Sequence, residues 1–213
     1  MFCTAFFALM FFAASAGFAA EGFDKIKADL DSRDWKVRIS AVEKLNNFSD
    51  EKTIDLLMEV AGNRGEYWPV KIKAIKLLGE SADPRAVALL LSIFNEPSNN
   101  WECPAIKSYA ALALGNFKGN AKVVDSLISG IDDRELFTRE ASIQSLGRIG
   151  NPAAVVPLIA ALDSDSFTVR SSAIKALEMI GDPHAIPHLK RIAENDRDSV
   201  IKSQAKTALN NFH

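Results

Sequence analysis

Apolar positions in this chain recur at helical spacing, pause at a turn, and recur again. In FTVRSSAIKALEMIGDPHAIPHLKRIAEN, Val169, Ala173, Ile174 and Leu177 share one helix face, and Ala185, Ile186, Leu189 and Ile192 share a face of a second helix. The first helix stops at Gly181-Asp182-Pro183, where the aspartate can cap the next helix and proline fits its first turn. Gly150-Asn151-Pro152 and Ala82-Asp83-Pro84 repeat that punctuation. No alternating β-branched run or Asn-Gly hairpin signal interrupts the order, so the pattern predicts an all-α chain.

The unit returns along the sequence. Copies start with WKVRISAVEKL at Trp35, WPVKIKAIKLLG at Trp68, PAIKSYAALALG at Pro104, LFTREASIQSLG at Leu136, FTVRSSAIKALE at Phe167 and SVIKSQAKTAL at Ser199. Each carries a basic residue at a shared register: Arg38, Lys71, Lys107, Arg139, Arg170 and Lys202, at spacings of 33, 36, 32, 31 and 32. Such a period belongs to stacked units that cannot bury their apolar faces alone. Residues 22–31 read as a lone second helix closing the N-terminal end. Roughly 198–211 read as a lone first helix, with Lys202, Lys206, Asn210 and Asn211 giving a polar outer face. The expected fold is a right-handed α-solenoid of about five helix pairs plus terminal half-repeats, over residues 21–213.

The blocks VRSSAIKALEMIGDPHAIPHL and TREASIQSLGRIGNPAAVVPLIAAL resemble HEAT-type repeats of the subclass named after phycobilisome lyases, and the resemblance runs from residue 33 to 211. It implies a scaffold or binding module. In some members it implies a bilin-lyase subunit, and in a metal-binding branch the hydroxylation of a modified lysine. Because a fold does not fix an activity, the expected function is a non-catalytic scaffold or adaptor binding a protein or peptide on its concave face. The alternative is an enzyme or enzyme subunit of the lyase or hydroxylase kind.

Composition narrows the partners. With 213 residues, a formal charge of -2 and no Lys/Arg-rich run, the chain has no general attraction for phosphate backbones, and nucleic acid is not expected. The first twenty residues, MFCTAFFALMFFAASAGFAA, are uncharged and end in small residues, so 1–19 read as a secretory signal cleaved after Ala16 or Ala19. The competing reading is an uncleaved anchor. Cleavage predicts an exported monomer, periplasmic or extracellular and free of the membrane. Cys3 would leave with the signal, and Cys103 would remain as a lone, partly buried thiol.

Several positions invite chemistry. Every basic register residue has an acid four to six places upstream: Asp34, Glu66, Glu102, Asp133, Asp165 and Asp196. A structural ladder along the joints between units is preferred to a basic binding groove. His184 and His188 share a helix face, yet no glutamate adjoins the first and only His213 remains as a third histidine, so they read as exposed residues and not zinc ligands. No Gly-x-Ser-x-Gly elbow or phosphate loop is present, and neither cofactor nor metal is expected. Gly79, Gly115 and Gly147 are expected to be left-handed helix caps. Trp35, Trp68, Leu136 and Phe167 are expected to pack at the starts of first helices. Trp101, near Cys103 in the longer loop NEPSNNWECP, is a partner-binding candidate on a projecting insertion, the alternative being an ordinary turn filled by a packed indole. The remaining partner-binding candidates lie on outward faces of second helices, expected to line the concave side: Arg85, Lys122, Asp125, Val156, Pro157, His184, His188 and Arg191.

Overall fold

The computed structural model describes residues 22–48, 50–97 and 103–212; the apolar N-terminal stretch expected to be a secretory signal and Trp101 lie outside them. Twelve α-helices follow one another in the described residues, and no strand occurs there. Residues 22–30 form α1. The first helices are α2 (Trp35–Leu45), α4 (Trp68–Ser81), α6 (Ala105–Leu114), α8 (Leu136–Ile149), α10 (Phe167–Ile180) and α12 (Ser199–Asn210). Their partners, the second helices, are α3 (Glu51–Gly62), α5 (Ala86–Asn95), α7 (Ala121–Ser129), α9 (Val155–Ala161) and α11 (Ile186–Asn195).

One repeat shows why these residues fold this way. The Ser166 hydroxyl accepts the Val169 N–H and starts α10. Val169, Ala173, Ile174 and Leu177 then turn one face into the core. Gly181 ends the helix at φ 72°, donating its N–H to the Leu177 carbonyl at 2.9 Å. Asp182 next accepts the His184 N–H, and Pro183 opens a short 3-10 turn that leads into α11. The same register supplies the core everywhere. Leu45, Leu78, Leu114, Leu146 and Leu177 are fully buried on first helices, and Leu90, Leu127, Leu158 and Leu189 on second helices. Each such leucine contributes about 1.5–3 kcal/mol by leaving water.

The two layers differ in how closely successive helices approach. A Cβ on Gly79 would lie 2.7 Å from the Ala113 Cα, and one on Gly147 would lie 2.8 Å from the Ala176 Cα. First helices thus meet nearly backbone to backbone, whereas successive second helices touch sparsely. This corrects two expectations. Gly79 and Gly147 lie inside α4 and α8, and Gly115 ends α6 in the right-handed region, so all three are approach points for the next helix and not left-handed caps. The positive-φ positions among the described residues are Ala82, Gly119, Gly150 and Gly181. A stack bends toward its more closely spaced layer, so the inner side is lined by first helices and not by second helices. Polar ties reinforce the joints. Ser145 Oγ donates to the Ala111 carbonyl at 2.8 Å, and Asn116 Nδ2 donates to the Gly79 carbonyl at 2.8 Å.

Candidate functional site

The shared basic residue sits four positions into its helix after the capping residue and reaches two ways. In α10, Arg170 Nη1 donates to the carbonyls of Ser164 and Asp165 at 2.9 and 3.1 Å, in the loop just before its own helix. Its Nε and Nη2 donate to Asp196 Oδ2 and Oδ1 of the following repeat at 3.0 and 3.4 Å. Both side chains are about 5% exposed. Arg38 repeats this arrangement with the Ser32 and Arg33 carbonyls and with Glu66, whose hydrogen bond raises the guanidinium pKa. Lys107 pairs with Asp133 of the next repeat. The carboxylate therefore comes from the next repeat and serves twice, since Asp196 Oδ1 also accepts the Asp198 N–H at 2.8 Å in front of α12.

Arg139 departs from the pattern. Its Nη1 reaches the Asp133 and Arg134 carbonyls at 2.8 and 3.3 Å, but among the described residues no carboxylate meets the other edge of its guanidinium. The position that Asp196 and Asp133 hold, two residues before a helix cap, is Ser164 in front of α10. Ser164 Oγ keeps the turn by accepting the Ser166 N–H at 3.2 Å, without a charge to offer. The adjacent Asp165 points into solvent and meets Arg197 at 3.4 Å. A groove of about 480 Å³ opens at Arg139, against about 210 Å³ at the closed Arg170 pair. The expected six-rung ladder is thus interrupted at Arg139. Lys202 is half-buried and has no ion pair among the described residues, while Lys71 is fully buried in α4.

The second-helix candidates are distributed over separate repeats and not gathered in one pocket. Arg85 bridges Asp55 of the preceding repeat at 3.2 Å and its neighbour Asp83 at 3.0 Å; its side-chain hydrogen bond holds the Asp83 carboxyl below its ordinary pKa. Arg191 bridges Asp163 across repeats at 2.8 Å. Lys122 and Asp125 are exposed on α7, and Val156 on α9 is 76% exposed. His184 stands in solvent with Nδ1 2.7 Å from Asp182, and His188 is half-buried. Among the described residues, no group of three or more His, Cys, Asp or Glu side chains could hold a metal. Only Pro157 of this set lines the Arg139 groove.

The inner face carries exposed aromatic side chains that the repeat pattern does not mark as such. Trp35, Trp68 and Phe167, expected to be packed, remain 37–40% exposed at the starts of their helices, and Tyr67 lies 5.1 Å from the Trp35 ring. Phe137 is 73% exposed and lines a groove of about 370 Å³ between α6 and α8 with Tyr109 and Leu112. Its signal was the Leu136-Phe137 doublet. Adjacent positions lie about 100° apart on a helix, so both cannot point into the same core. A second groove, of about 290 Å³, runs between α10 and α12 beside Val200 and Gln204. Gln204 Oε1 is buried there without a hydrogen-bond partner among the described residues.

A family profile for HEAT repeats matches residues 24–102, 100–174 and 139–210. The chain belongs to the HEAT-repeat family. Among solved structures, the HEAT-repeat stack is similar to the complex of CpcE and CpcF of phycocyanin lyase from Nostoc sp. PCC7120. Identity is 23% and the TM-score 0.61, over 75% of this chain and 64% of that one. The chain therefore spans less than two thirds of that relative's length. It is also similar to a designed armadillo repeat protein in complex with the peptide (KR)4, at 17% identity and TM-score 0.64, covering 89% and 98% of the two chains. The archaeal HEAT-like repeats protein from Thermococcus onnurineus NA1 shares 14% identity at TM-score 0.56, over 89% and 86%. At these identities the likeness is one of fold. Comparison with curated proteins gives no match.

Proposed function

We propose that this HEAT-repeat chain is a non-catalytic scaffold or adaptor that holds a protein or peptide segment along its inner, first-helix face. The observation that carries the reading is Phe137, left 73% exposed over the α6/α8 groove. Covering such a side chain contributes about 1.5–3 kcal/mol, which a partner would supply and the monomer forgoes. Gln204 Oε1, buried beside the α10/α12 groove without a donor, suits a peptide N–H. The side chains around the grooves carry both signs, with Lys175 and Glu178 at one and Glu140 at the other, which fits a mixed peptide better than a polyanion. A two-chain complex and a peptide complex among the solved relatives support a protein partner.

The proposal includes export, supported by the uncharged apolar leader of residues 1–20, and the mass of the mature N-terminus tests that part. Cross-linked pull-down from the exported fraction tests the binding. The chain should recover a partner that a Phe137→Ser variant, melting at an unchanged temperature, does not. Equal recovery by both would remove the inner face from consideration. Stoichiometric metal in the purified protein, or transfer of a bilin by it, would overturn the non-catalytic assignment.

A further inference from the structure

The ladder supplies its own template for what fits beside Arg139. Wherever Arg38, Lys107 or Arg170 is paired, the occupant is one carboxylate arriving on a loop from the next repeat. At Arg139 the backbone half of that arrangement is intact, because the Asp133 and Arg134 carbonyls fix the guanidinium by Nη1. The carboxylate half is missing because Ser164 replaces the acid and Asp165 turns to Arg197. We infer that Arg139 is a binding site for a single carboxylate, an Asp or Glu side chain of a partner polypeptide, seated where the neighbouring repeat's acid closes the other rungs.

The surroundings define the ligand further. Ile128, Ile131, Pro157, Ala160 and Val169 wall the groove, so the residues flanking the ligand's acid are small or apolar. Apolar walls also thin the water around the guanidinium and strengthen a charge-assisted hydrogen bond to it. Two other carboxylates line the groove. Asp163 is engaged by Arg191 at 2.8 Å, and Asp132 is exposed to water. With these beside one arginine, the groove favours a monoanion over a phosphate dianion. The site lies on the opposite edge of α8 from the grooves of the inner face and stands independently of the Phe137 reading.

The test follows the Arg139 Nε–Hε resonance of the full chain by NMR during titration with N-acetyl-glutamic acid α-amide, which carries one side-chain carboxylate. The expected result is a saturable shift at Arg139, none at the closed Arg170, and none with the glutamine analogue. Ser164→Asp should move the Arg139 resonance toward that of Arg170 without the probe and weaken the response roughly tenfold or more, because the rung is then closed internally. A linear response shared with the exposed Arg134 overturns the site, and so does inorganic phosphate binding as well as the monoanion. An Asp165→Asn variant that shifts Arg139 and lowers the melting temperature also overturns it, by showing that Asp165 closes the rung from within.

Discussion

Arg170 and Arg139 occupy one register of adjacent repeats and grip their own loops in the same way, yet one ends on a buried carboxylate and the other on a groove. The difference is made by the next repeat: an aspartate two residues before the α12 cap, a serine two residues before the α10 cap. A residue's role in a repeat protein is therefore set by the joint it faces. The same arginine is a structural pair at one joint and an available cation at the next.

Removing the closed rung should have the largest effect. Arg170→Ala leaves Asp196 buried and unpaired, with an expected loss of about 3–5 kcal/mol in urea unfolding. Arg139→Ala gives up only the bonds to two carbonyls and should cost about 1–2 kcal/mol. Equal losses would erase the distinction between the two joints. Gly147→Ala drives a Cβ against the Ala176 backbone in the inner layer and should cost about 1–3 kcal/mol, read as a lower melting temperature. Ser164→Asp should convert the open joint into a closed one and raise stability by about 1 kcal/mol. The smallest effect concerns acid. Asp50 caps α3 and is held below its ordinary pKa of 3.8 by the Thr53 hydroxyl and then the Thr53 N–H. Its stabilisation is present above that value and is lost as pH falls through the lower folded value. Asp50→Ala should cost about 1 kcal/mol at neutral pH and progressively less below pH 3.8, whereas the serine cap of α10 gives no such dependence.

Most of the fold was legible because each repeat states the same pattern again, and Leu45, Leu78, Leu114, Leu146 and Leu177 fall on one register. The turn residues Asn151 and Asp182 could likewise be assigned, since capping is local chemistry. What depended on the neighbouring repeat was harder to read. Gly79 and Gly147 look like caps from their position near a helix end, and only the backbone of the next helix shows that they exist to be approached. The choice of inner layer failed for the same reason. The open joint did leave a trace, in the 31-residue spacing from Arg139 to Arg170 and in Ser164, but counting Asp165 as its acid concealed it. Trp101 falls outside the described residues, and the expectation placed on it lies there with it.

The glycine contacts also determine how the molecule yields to force. First helices that meet at their backbones behave as an inextensible strip, while second helices with sparse mutual contact form a compliant one. A beam with one stiff and one soft side flexes by stretching the soft side. Flexure of this kind opens the gaps between successive second helices and leaves the close α8/α10 approach at Gly147 in place.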